Sequence, residues 1–137
     1  MVQKVNLFIV GEPKCGTTSL HSLLDGHSDI SMSIVKETGF FLKNDSWREI
    51  KSKEDYQKNF LDSNKSILGE STTRYIRSSD AAKKIYRYNP NSKIIVLFRE
   101  PVTYCQSIFG QNRRFGAETV KTFKKSIELE KVREKGK

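Results

Sequence analysis

Apolar residues fall along this chain in short runs broken by polar stretches, and the spacing within each run predicts its element. Residues 4–10, KVNLFIV, are a β-rich run that stops at Gly11, and SLHSLLDGH then shows helical periodicity closed by Gly26. That reads as strand, loop, helix. Residues 30–35, ISMSIV, alternate like a half-buried strand before the loop KETGFF. Residues 44–64 are polar, with Ser52 or Lys53 opening a helix through KEDYQKNFL; residues 67–69 form a second short strand, and ESTTRY is a loop. Ser79 and Asp80 offer an N-cap for AAKKIYRY, which Asn89-Pro90-Asn91 ends. KIIVLF at 93–98 is the most apolar run and predicts the buried central strand. Pro101 then starts the helix VTYCQSIFGQNRR, and residues 117–137 are helical in pattern, with Val120, Phe123 and Ile127 on one side.

Strands alternating with helices predict an α/β three-layer fold, a mainly parallel central sheet flanked by helices. Ligands of such sheets bind beyond the carboxyl ends of the strands. The loops after residues 10, 35, 70 and 98 are therefore expected to share one edge.

Composition narrows the class. At 137 residues the chain predicts a single domain, with residues 1–116 as an α/β core and 117–137 as a basic C-terminal helix. No run approaches the roughly 20 apolar residues of a membrane span, and the N-terminus shows no small-residue cleavage site, so a cytoplasmic protein without a membrane partner is expected. Cys15 and Cys105 give neither a disulfide framework nor a zinc spacing, and no metal is expected. The net charge of +9 admits a nucleic acid, an anionic surface or a polyanionic small molecule. Its distribution weakens the first two, because the last 26 residues hold nine Lys/Arg and four Asp/Glu in a pattern that reads as a solvated helix.

The first loop, Gly11-Glu12-Pro13-Lys14-Cys15-Gly16-Thr17-Thr18, joins a strand to a helix, where free backbone amides and the helix dipole favour a bound phosphate. Its G-x4-G spacing is P-loop-like. The residues after Gly16 are Thr-Thr, however, where the nucleotide-triphosphate motif needs Lys-Ser or Lys-Thr, and the lysine stands inside the loop at position 14. Arg99 follows the most apolar run, and Ser107 lies about two turns into the next helix; an arginine can clamp a phosphate and a serine can add a hydroxyl.

Together, PKCGTTSL at 13–20 and FREPVTYCQSIF at 98–109 resemble the 5′-phosphosulfate loop and the 3′-phosphate motif of the sulfotransferases that use 3′-phosphoadenosine 5′-phosphosulfate (PAPS). The resemblance covers roughly residues 4–115. It implies that the backbone of Lys14, Cys15, Gly16, Thr17, Thr18 and Ser19, with the two threonine hydroxyls, holds the 5′-phosphosulfate, while Arg99 and Ser107 hold the 3′-phosphate. It also implies that Lys14 is catalytic, stabilising charge on the leaving oxygen, and that 3′,5′-adenosine bisphosphate is the product. In family members acting on carbohydrate hydroxyls a glutamate just before a Phe-Phe pair is the base, which implies this role for Glu37 in KETGFF. His21 and His27 do not match the histidine of the phenol and steroid enzymes and read as surface or helix-packing residues. Glu70 is a weaker candidate for acceptor binding or a second carboxylate, and Ser71 stands where many carbohydrate enzymes have lysine. Cys15 reads as a small loop-lining residue, Trp47 and Tyr56 as acceptor surface or minor core, and Phe40 and Phe41 as part core, part pocket wall.

The function expected is in-line sulfuryl transfer from PAPS to a hydroxyl of a saccharide or small-molecule metabolite, with self-association left open. The alternatives are a P-loop nucleotide kinase or NTPase, opposed by the missing lysine after Gly16 and by Arg-Glu rather than a magnesium-binding aspartate after KIIVLF, and a basic nucleic-acid-binding module.

Overall fold

A computed structural model describes residues 3–43, 48–62 and 64–136. Four parallel strands form one sheet in the order β2-β3-β1-β4: β1 is Leu7–Gly11, β2 Ile30–Met32, β3 Ile67–Ser71 and β4 Lys93–Leu97. The crossovers carry α1 (Thr17–Asp25), α2 (Lys53–Lys58) and α3 (Ala81–Tyr88), with a 3-10 helix at Thr73–Arg77 directly after β3. All four strands run the same way, so their carboxyl ends line one edge of the sheet.

Each residue of β1 is buried, because the strand has a neighbour on both sides and a covered layer on both faces. Phe8 and Val10 join Phe41, Tyr56, Tyr75, Ala81 and Ile85 on one face. Leu7 and Ile9 point the other way and join Ile30 and Met32, with Leu20 and Leu24 of α1 against them. Gly11 ends β1 where it passes closest to β4: at φ +143° a Cβ there would lie 2.2 Å from the Leu97 carbonyl oxygen.

The central position expected for residues 93–98 is not where they lie: among the described residues β4 is an edge strand, and β1 and β3 are the two interior ones. Ile95 and Leu97 pack on the α1 side, whereas Ile94 and Val96 are 48% and 44% exposed. An apolar run reports that side chains favour burial, and it says nothing of which strands flank it in the ladder. The other element expectations need smaller changes. β2 is three residues rather than six, the ESTTRY loop contains the 3-10 helix, and Asp80 stands at the N-cap of α3 as expected while the side chain that accepts from the Ala81 N–H, at 3.2 Å, is that of Ser78. Ser52 caps α2 as expected, taking the Asp55 N–H at 3.0 Å.

The chain divides into two compact units after Phe98, not after residue 116. The second, Arg99–Lys137, contains α4 (Pro101–Arg114), α5 (Phe123–Glu128) and α6 (Glu130–Arg133), so the expected single C-terminal helix is two short ones. Within this unit Phe109 meets Phe123 at 5.7 Å. Buried Glu118 accepts from Arg133 and Ser126, and those hydrogen bonds hold its carboxyl well below the usual carboxylate range. Among the described residues no helix is long and apolar enough to cross a membrane, and no cluster of His, Cys, Asp or Glu could hold a metal ion.

Candidate phosphosulfate and acceptor site

The loop from β1 to α1 turns tightly into the start of the helix. Cys15 N–H bonds the Glu12 carbonyl at 3.3 Å to close a turn, Lys14 takes a left-handed φ of 68°, and Gly16 at φ 92° starts α1. No side chain caps α1 and no acid lies in its first turn, so the amides at its start are presented to an incoming acceptor of hydrogen bonds. Thr18, Ser19 and Lys14 are exposed around them, Cys15 is half-buried, and Thr17 is buried at 4%. The donor set therefore suits a phosphate or sulfate group, with the Thr18 hydroxyl better placed for contact than that of Thr17.

A second loop leaves β2. Ser33 N–H reaches the Gly69 carbonyl at 2.8 Å, and Glu37 N–H reaches that of Ser71 at 2.8 Å, which lays residues 33–37 along the end of β3. Glu37 itself has φ 63°. Its Oε2 accepts from the Thr73 N–H at 2.8 Å and the Thr73 hydroxyl at 3.0 Å, while Oε1 meets Lys36 Nζ at 2.6 Å. The carboxylate, 37% exposed, lines a cavity of about 340 Å³ whose wall includes Pro13 of the first loop, Lys36 and Arg74. An adjoining cavity of about 440 Å³ shares Pro13, Leu42, Thr73 and Arg74 and adds Arg77 and Ser78. Arg77 also forks onto the Glu12 carboxylate, tying the 3-10 helix to the first loop.

Among the described residues, Lys14 and Glu37 are the two non-glycine positions with left-handed backbone. Such conformations cost roughly 1–3 kcal/mol each and persist where surrounding structure imposes them, often at functional sites. These are also the two positions the sequence marks as catalytic.

Several expectations change here. Glu70 does not contact solvent: it is fully buried and is no acceptor-binding carboxylate. Tyr56 is equally buried and stacks on Phe40 at 4.2 Å, so it belongs to the core, as does Phe41, while Phe40 is half-buried. Trp47 lies outside the described residues. His21 is half-buried with Nδ1 3.0 Å from the Ser71 hydroxyl, and burial pushes its pKa down. Thr38, Thr73, Arg74 and Arg77 were not picked out from the sequence, although STTR at the carboxyl end of a strand is the position where the crevice rule directs attention.

In the second unit, Glu100 caps α4 by accepting from the Val102 and Thr103 amides at 2.9 and 2.8 Å, and those bonds lower its pKa. Arg99 is exposed just before this cap, with Nε 3.3 Å from Thr103 Oγ1, and Ser107 is half-buried in the second turn. Both sit at the start of one helix. The Glu100 carboxylate accepts from the amides there, so these two backbone donors are already engaged.

A parallel sheet with a glycine loop and an uncapped helix start at its carboxyl edge defines an α/β protein of the doubly wound kind. Residues 4–135 match the family model described as "Sulfotransferase domain", and the chain belongs to that family. It is 32% identical over 101 residues to "Membrane-associated sulfotransferase kil1" of Dictyostelium discoideum, covering 71% of this chain and 21% of that one. It is 26% identical over 141 residues to "Carbohydrate sulfotransferase 15" of Mus musculus, covering 71% and 25%. The crystal structure of a sulfotransferase from Alicyclobacillus acidocaldarius superposes with a TM-score of 0.80 at 29% identity, covering 98% of this chain and 60% of that one. The chain thus spans a quarter or less of these curated relatives' length. The fold is that of a sulfotransferase, and none of these matches favours a nucleotide kinase or a nucleic-acid-binding module.

Proposed function

We propose that the chain transfers a sulfuryl group from PAPS to a hydroxyl of a saccharide or other small metabolite. The observation that carries this reading is that Lys14 and Glu37, the two non-glycine residues with left-handed backbone among the described residues, lie on loops at the carboxyl edge of one parallel sheet, with Glu37 and Pro13 of the first loop lining one cavity. The α1 amides, Thr18, Ser19 and Lys14 would hold the 5′-phosphosulfate, and Arg99 with Ser107 the 3′-phosphate. When bound, PAPS supplies the sulfuryl group and a phosphate as leaving group. Lys14 would place a cation near the leaving oxygen as negative charge builds there, an electrostatic stabilisation of the transition state. Glu37 receives the acceptor's proton, and Lys36 and Thr73 fix its two oxygens meanwhile. Hydroxyl and guanidinium groups in the cavity wall, from Thr73, Arg74 and Ser78, suit a polyhydroxylated acceptor.

Calorimetry with 3′,5′-adenosine bisphosphate and ATP tests the cofactor: the bisphosphate is expected to bind preferentially, and equal affinity for ATP overturns the reading. Transfer of labelled sulfate from PAPS to a panel of neutral and acidic oligosaccharides, with phenols as controls, tests the acceptor. Glu37→Gln should lower kcat by about 10²-fold or more with bisphosphate affinity unchanged.

A further inference from the structure

Glu70 is the one fully buried carboxylate beneath this site among the described residues, and the catalytic proposal makes no use of it. Its partners are all hydroxyls, and they come from separate parts of the chain. Oε2 accepts from Thr38 Oγ1, in the loop after β2, and at 3.5 Å from Thr72 Oγ1. Oε1 accepts from Tyr56 of α2 at 3.0 Å and from Tyr75 of the 3-10 helix at 2.9 Å. Tyr75 reaches the loop a second time, its hydroxyl accepting the Phe41 N–H at 3.2 Å, and Thr72 Oγ1 takes the Gly39 N–H at 3.4 Å.

Thr38 is the residue after Glu37. A left-handed residue such as Glu37 holds its conformation only if the chain on both sides is fixed. On its amino side the fixing bond is its own N–H to the Ser71 carbonyl. On its carboxyl side it is Thr38, and Thr38 is fully buried with its hydroxyl on Glu70. An apolar side chain at position 70 would leave four hydroxyls to satisfy one another; a carboxylate satisfies them together and aims them at one point.

We propose that Glu70 is a positioning residue for the acceptor site, its buried carboxylate gathering Thr38, Tyr56 and Tyr75 so that the segment carrying Glu37 is held in the strained conformation that presents the Glu37 carboxylate to the cavity. This rests on the reading of Glu37 as the base. Burial pushes the Glu70 carboxyl up to about 7 against the pull of its four hydroxyl donors. Protonation turns one acceptor oxygen into a donor, and one hydroxyl must then turn away. The other ionisable groups facing it are Tyr56 and Tyr75, with Tyr88 of α3 at longer range, and burial raises all three above 10, so they stay protonated through neutral pH. His21 of α1, on the Ser71 hydroxyl and with its pKa lowered by burial, also faces this loop, and it is common to wild type and Glu70→Gln, so the comparison of the two isolates the response that follows Glu70.

The test is the amide NMR spectrum of the full chain between pH 5.5 and 8.5, for wild type, Glu37→Gln, Glu70→Gln and Thr38→Val, beside the pH dependence of sulfate transfer from PAPS to whichever panel oligosaccharide is turned over. The Thr38 and Gly39 amides should shift together near pH 7 in wild type and in Glu37→Gln, and stay still in Glu70→Gln. Thr38→Val, which removes only the hydroxyl, should lower kcat by about 10²-fold at unchanged KM for PAPS, with Thr38→Ser restoring most of it. A loop titration near 7 that survives Glu70→Gln overturns the proposal, as does a Thr38→Val enzyme with wild-type kcat. Full activity of Glu37→Gln beside an intact loop titration overturns the base assignment and leaves the positioning of the loop standing.

Discussion

Replacing Glu70 by Gln makes a quantitative claim about stability testable without any substrate. The carboxyl titrates near 7 in the folded chain against a reference value of 4.5. Between those values the native state holds a proton that the unfolded chain has released, so wild-type stability falls as pH rises through this window and is level above it. A carboxyl raised this far corresponds to roughly 3 kcal/mol in full, most of which is lost between pH 5 and pH 8. Gln cannot ionise. The variant begins with its own penalty, since an amide offers one acceptor oxygen where the carboxylate offers two, and that penalty does not depend on pH. Urea unfolding followed by circular dichroism from pH 5 to 8.5 should therefore show the stability difference moving in the variant's favour by roughly 2–3 kcal/mol as pH rises. His21, whose pKa burial lowers, is common to both proteins and cancels in the difference. A difference that stays flat within about 0.5 kcal/mol across the range would refute the buried, ionising carboxylate and the loop mechanism built on it.

Other substitutions separate the parts of the molecule. Lys14→Ala and Arg99→Ala should each weaken 3′,5′-adenosine bisphosphate about tenfold or more by calorimetry, charge-assisted contacts being worth roughly 1.5–3 kcal/mol; wild-type affinity in Arg99→Ala refutes the assignment of Arg99 to the 3′-phosphate. Gly11→Ala should cost more than about 1 kcal/mol in thermal unfolding, because the added Cβ meets the Leu97 carbonyl at 2.2 Å and the backbone sits at φ +143°. Ser52→Ala, which removes the cap of α2, should cost about 1 kcal/mol by the same measurement. Val96→Thr on the exposed face of β4 should stay within about 0.5 kcal/mol, whereas Ile9→Thr at 0% exposure should cost several times that.

Legibility in this sequence follows how local each feature is. The helix after Gly16, the Ser52 cap and the end of α1 at Gly26 depend on neighbouring residues, and the pattern places them within a residue or two. Strand order depends on partners dozens of residues away, which is why KIIVLF reads as central while the five-residue LFIVG holds an interior position in the sheet. The site divides in the same way. Lys14 stands out because a lysine inside a glycine loop is chemically conspicuous, and Glu37 because it resembles a family position. Nothing local marks Thr38, a common residue in a common context, and Glu70 in the sequence looks like one more polar residue at a strand end. Its meaning comes from three tyrosine and threonine hydroxyls that converge on it from positions 38, 56 and 75. A charge placed where the apolar pattern of β3 calls for a core residue is the one sequence-level sign of this cluster. A buried acid is expensive unless donors surround it, so an acid inside a strand predicts hydroxyls elsewhere in the chain before their positions are known.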